Sequence, residues 1–146
     1  MTKSVAGNAY GSAAKIGLAA VILIGVFVFL FFLSMKTTKE ADMVITRETF
    51  EIKAMYGSTF KFSDVTSIEL KDNMPAVGKK VDGSGLGESK KGYFEVDGMG
   101  KCLLFIHADK GPFLYINVSN THIIMNYKDG IKTKQVYQDL IANWNK

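Results

Sequence analysis

Hydrophobic and polar positions divide the chain into two unlike parts. From Ile16 to Met35 the sequence IGLAAVILIGVFVFLFFLSM runs twenty residues without a charge or a proline, bracketed by Lys15 and Lys36. At 1.5 Å per helical residue this spans roughly 30 Å, the thickness of a bilayer's hydrocarbon. The run is apolar on every face rather than along one stripe, so it predicts a transmembrane helix and not a buried core helix. A cleaved signal peptide requires a shorter core and small residues in an Ala-x-Ala arrangement, whereas Ser34-Met35-Lys36-Thr37-Thr38-Lys39-Glu40 follows here. The expected organisation is an N-terminal tail over 1–15, a single span over 16–35, a juxtamembrane linker over 36–42 and a domain over 43–146.

Past the linker the pattern becomes short segments rich in β-branched and aromatic residues, separated by turn formers. Seven strands are predicted. Around Thr49 to Met55, Phe50, Ile52 and Ala54 alternate with Glu51 and Lys53, as in a half-buried strand. Tyr56-Gly57-Ser58 supplies a turn. Thr59 to Phe62 and Thr66 to Lys71 follow, the three forming an expected meander. After a long insertion comes Tyr93 to Asp97, which ends at Gly98-Met99-Gly100. The last three, near Lys101 to His107, Pro112 to Val118 and His122 to Tyr127, are apolar on both faces, so something other than water must cover their outer side. That cover is either the C-terminal helix with loops, or an oligomer or membrane contact. From Asp129-Gly130 onward the period changes to Val136, Leu140 and Trp144 with Tyr137 and Ile141 beside them, an amphipathic helix with Asp129 as its N-cap.

Charge and cysteine content narrow the function. The whole chain carries +4, but 43–146 holds 14 Lys/Arg against 12 Asp/Glu, a difference of +2. No concentrated basic footprint for nucleic acid is present. The single Cys102 lies in the apolar stretch Cys-Leu-Leu-Phe-Ile with no disulfide partner, which suits a reducing compartment and an inert buried thiol. Near the span, Lys3 and Lys15 precede and Lys36, Lys39 and Arg47 follow, so the positive-inside rule leans toward a cytoplasmic C-terminal domain.

The fold expectation is mainly β: one transmembrane α-helix plus a seven-stranded β-barrel capped by a C-terminal α-helix. Ile52-x-x-x-Tyr56-Gly57 with Phe60, then Phe62-x-Asp64-Val65-x-x-Ile68-x-Leu70, and later Gly111-Pro112-Phe113-Leu114-Tyr115-Ile116, resemble the bacterial PH-domain proteins. That resemblance covers roughly Met43 to Trp144 and implies a pleckstrin homology-like barrel with the helix plugging one end, often joined to membrane spans. It implies a bacterial inner membrane and no catalytic residues. Eukaryotic PH domains bind phosphoinositides through basic residues in their first loop, and Tyr56-Gly57-Ser58-Thr59 has none, so that role does not transfer.

Candidate chemistry is sparse. The glycine-rich segment Asp72 to Gly92 is expected as a long loop whose Lys79, Lys80, Lys90 and Lys91 contact anionic lipid headgroups or a partner. It lacks the spacing of a nucleotide loop, and Gly92-Tyr93-Phe94 reads as strand rather than helix. A metal site built from His107, His122 and Cys102 fails because Cys102 and His107 alternate to opposite faces. The Asn117-Val118-Ser119 sequon lies in a strand, and Ala13, Gly17 and Gly25 form a weak small-residue stripe in the span. The functional expectation is a membrane-anchored, non-enzymatic binding or assembly module without cofactor or small-molecule substrate. Leu104, Ile106, Leu114 and Ile116 are the strand residues expected to meet a protein partner or a second copy. The alternative is a membrane-surface module that reads anionic headgroups through loop 72–92.

Overall fold

The computed structural model describes residues 7–145, with the side chains of 7–14, 16 and 33–38 outside that description. The chain divides into two compact units, Met1–Lys39 and Glu40–Lys146. The first holds helix α1 (Gly7–Thr38), longer at both ends than the expected span. Between Gly17 and Phe32 no side chain is polar, and large apolar groups from Leu18 to Phe32 are 45–72% exposed. Successive residues turn by 100°, so these groups occupy every face. Among the described residues no helix is long and apolar enough to cross a membrane. Of the twenty residues expected to span, Ile16 and 33–35 lie outside the described side chains.

The second unit has nine strands in two sheets, not seven in one barrel. β1 (Asp42–Ile45), β2 (Thr49–Lys53) and β3 (Thr59–Lys61) form a three-stranded antiparallel sheet. β4 (Val65–Lys71), β5 (Val77–Leu86), β6 (Ser89–Val96), β7 (Gly100–Ile106), β8 (Phe113–Val118) and β9 (Thr121–Met125) form the other, in the order β4-β8-β9-β7-β6-β5. All seven expected strands are present. The two additional ones are β1, from residues expected at the linker boundary, and β5, from the segment expected as a loop.

The expected meander breaks after β3, because a 3-10 turn at Phe62–Asp64 carries the chain to the edge of the larger sheet, where β4 pairs with β8. A two-residue reversal at Ser119-Asn120, with Ser119 at φ 50°, folds β9 back on β8 and slots it between β8 and β7. β9 therefore runs parallel to β7, which an all-antiparallel barrel does not contain.

Alternation along β7 to β9 explains their doubly apolar character. Leu103, Phe105, Leu114, Ile116, Ile123 and Met125 face Phe50 and Ile52 of the small sheet and Leu140 of helix α2 (Gly130–Trp144). Cys102, Leu104, Ile106, Phe113, Tyr115 and Ile124 build a second core on the opposite face, against Met74, Val77 and Met99. The Tyr115 hydroxyl donates to the Asn73 carbonyl at 3.1 Å, fastening the strap between β4 and β5 over that face. Each face of the sheet is thus covered by the chain itself. Asp129 caps α2 as expected, its Oδ1 accepting the Ile131 N–H at 2.8 Å.

Glycine makes β5 a strand. Gly83 and Gly92 oppose each other across the β5–β6 pair, and a Cβ on Gly92, at φ 110°, would lie 2.6 Å from the Gly83 Cα. Only a residue without a side chain permits that approach.

Candidate functional site

The densest group of buried polar side chains surrounds the point where the chain enters the domain. The Ala41 N–H donates to Nε2 of His107 at 3.2 Å. Because Nε2 accepts, the ring proton resides on Nδ1, which is buried and has no hydrogen-bond partner among the described residues. The His107 N–H donates to Oδ1 of Asn126 at 2.8 Å, and the Asn126 amide donates to the carbonyls of Ala108 (2.8 Å) and Lys110 (3.2 Å). One buried asparagine thereby fixes the β7–β8 connection.

Glu40 completes the arrangement. Its Oε1 accepts the Lys128 N–H at 2.8 Å, and its Oε2 lies 3.5 Å from Nζ of Lys132. That ammonium also sits 4.1 Å from the centre of the Tyr127 ring. Lys91 enters from β6, only 4% exposed.

Burial pushes the His107 pKa down to about 4, with the Lys91 ammonium pushing the same way and Glu40 opposing. Burial alone would raise the Glu40 carboxyl, but the Lys128 N–H and the Lys132 ammonium outweigh it and hold it below the usual range. Lys91 is lowered by burial, against the pull of Glu40. The neutral imidazole serves here as a hydrogen-bond acceptor for the Ala41 N–H. The cluster is a clamp that fastens residues 40–41 to the domain.

A concave surface lies elsewhere. Thr46 Oγ1 accepts the Thr49 N–H at 3.0 Å and shapes the β1–β2 turn. Beyond it opens a cleft of about 510 Å³, walled by Arg47, Glu48, Lys61, Phe62, Asn143 and Trp144 among others. Its volume falls in the range of ligand-binding clefts. The last turn of α2 carries no basic residue of its own, so Arg47 and Lys61 supply cations on the side of its carbonyl end.

The residues expected from sequence to form sites are dispersed. Lys79 and Lys80 are exposed on β5, the edge strand, and β5 departs from regular register between Val77 and Asp82. Lysines and bulges on an edge discourage strand pairing. Lys90 lies 3.8 Å from Asp109, and Lys91 is in the clamp, so the four lysines are not one patch and 72–92 is a strap and hairpin rather than a loop. Leu104, Ile106, Leu114 and Ile116 are each 0% exposed, within the two cores. They present no surface to a partner.

Cys102 and His107 do lie on opposite faces. Cys102 instead shares cross-strand register with His122, whose Nδ1 is 2.6 Å from Oδ1 of Asn117. The Asn117 amide donates to Ser67 Oγ at 2.7 Å, which orients its oxygen toward the ring and engages the sequon asparagine inside the sheet. The thiol is wholly buried, burial raises its pKa, and no thiol–imidazole hydrogen bond is present among the described residues. No grouping of three metal-ligating side chains occurs among the described residues.

Sequence reasoning missed Glu40 and Asn126. The signal for Asn126 was a lone amide closing the apolar run His122 to Met125, and for Glu40 an acid just before the first strand. No family model, curated protein or solved structure matches the chain.

Proposed function

We propose that this chain is a membrane-tethered, non-enzymatic binding or assembly module, with α1 as a single-pass anchor and the nine-stranded domain held at the membrane surface. The observation that carries the reading is the apolar run of α1, exposed on every face and without a polar residue from Gly17 to Phe32. Lipid is the medium that covers such a helix. Chain topology, with the domain on the cytoplasmic side of a bacterial inner membrane, and kinship with PH-like domains belong to the same proposal.

A binding role is supported by what the domain offers. It covers both faces of its large sheet itself and leaves a cleft open at one end of α2. The cleft combines two cations and one carboxylate with an indole, which suits a protein segment bearing polar, charged and apolar groups. The tether raises effective concentration by confining the search to the membrane.

Crosslinking of the full-length protein in native membranes, after alkaline carbonate washing, tests both parts. Retention in the washed membranes together with one recurrent protein adduct, lost in Trp144→Ala and Lys61→Glu, is the expected result. Release by carbonate refutes the anchor; retention with no protein adduct refutes the partner.

A further inference from the structure

We infer that the surface around Ile131 is a second membrane contact, through which the domain docks onto an anionic lipid surface. This rests on the anchor reading above and adds to it an orientation of the domain.

Ile131 is 76% exposed, more than any other large apolar side chain among the described residues. A lone exposed apolar residue is ordinary. Its surroundings here are not. Lys128, Lys132 and Lys134 flank it in the run Lys128-Asp129-Gly130-Ile131-Lys132-Thr133-Lys134, all three exposed. The neighbouring carboxylates are already engaged, Asp129 by the Ile131 N–H and Glu40 by Lys128 and Lys132. An apolar side chain flanked by lysines matches an anionic bilayer interface, where the apolar group enters the acyl boundary and the ammonium groups of Lys128 and Lys134, which lie outside the Lys132–Glu40 pair, meet headgroups.

Position selects lipid over other acidic surfaces. Glu40 is bonded to Lys128 and Lys132 and stands two residues beyond Thr38, the last residue of α1. Two residues extend at most roughly 7 Å. On the anchor reading, so short a link raises the effective concentration of lipid at this patch above that of any untethered acidic partner. Thr133, wholly buried, accepts the Tyr127 N–H through its hydroxyl at 3.1 Å, so the turn carrying Ile131 is fixed rather than pliant.

The test uses full-length Ile131→Trp reconstituted into vesicles of phosphatidylcholine mixed with phosphatidylglycerol, with brominated acyl chains as quencher. Trp144, the chain's one native tryptophan, lies thirteen residues away, about 20 Å along the helix, and the wild-type chain supplies its background. Expected is quenching of the new indole beyond that background. It should fall in phosphatidylcholine alone, in a Lys128→Glu, Lys134→Glu background, and at 1 M salt, where the Debye length shrinks to about 3 Å.

Flotation after carbonate treatment reports the anchor separately. A chain that floats while the indole at 131 stays unquenched overturns the docking and leaves the anchor standing. Unquenched but blue-shifted emission also overturns it and assigns the patch to a protein surface. A chain that fails to float removes the anchor and the docking with it.

Discussion

The backbone amide of Ala41 hydrogen-bonds Nε2 of His107 at 3.2 Å across 66 positions of sequence, joining the first residues of the domain to the end of its central strand. This bond makes stability depend on pH with a definite sign. His107 has a folded pKa near 4, below the unfolded value of 6.5, so the unfolded chain takes up a proton first as pH falls. Stability contributed by the neutral ring is complete above about 6.5 and is lost progressively down to about 4, amounting to roughly 3 kcal/mol. The groups facing the ring are Lys91, Glu40, Lys128 and Lys132. Of these, Glu40 is the carboxyl, and its lowered pKa adds a further loss below about 4.5. Urea unfolding in detergent micelles, followed by Trp144 fluorescence, should show the midpoint falling over this window. His107→Gln, which retains an acceptor and does not titrate, should flatten the slope between pH 6.5 and 4.

Gly92→Ala places a methyl group against the Gly83 Cα and the Asp82 carbonyl at a φ of 110°. The obstruction is backbone, which cannot swing aside as a side chain would. A loss of about 2 kcal/mol or more is expected in the same unfolding experiment, with faster hydrogen exchange along β5 and β6.

Leu104→Ala and Ile116→Ala separate core from interface. Both side chains are wholly buried, in different cores, so each substitution should lower stability by about 2–5 kcal/mol. Crosslinking yield to any partner, measured at a temperature where the variants stay folded, should be unchanged. A lost adduct with unaltered stability would return these residues to the surface.

Cys102 should resist thiol reagents in the folded chain and react once urea unfolds it. Its side chain is wholly buried and burial raises its pKa, which depletes the reactive thiolate. Fast labelling without denaturant is the contrary result.

Much of the domain was legible because side-chain alternation survives in single strands: Phe50 and Ile52 against Glu51 and Lys53 marked β2, and Val136, Leu140 and Trp144 marked α2. β5 was hidden because Gly78, Gly83 and Gly85 have no side chains with which to show a period, and the same glycines read as turn formers. Period also reports which face a residue takes and not which strand lies alongside, so neither the departure of β4 from β3 nor the parallel β7–β9 pair could be read. The lysines of 72–92 were grouped by nearness in sequence, whereas the hairpin spreads them between an edge and the interior. Glu40 was counted as linker because its partners lie 88 and 92 positions away.

The clamp at residues 40–41 also has a mechanical consequence. β1 is four residues long and pairs only with β2, so by itself it is a strand that could be unzipped from its free end by a pull on the preceding helix. Glu40 and Ala41 stand ahead of it in the line of force, bonded to α2 and to the end of β7. Tension arriving along the preceding helix is borne first by α2 and the end of β7, and β1 is shielded from peeling until those bonds give way.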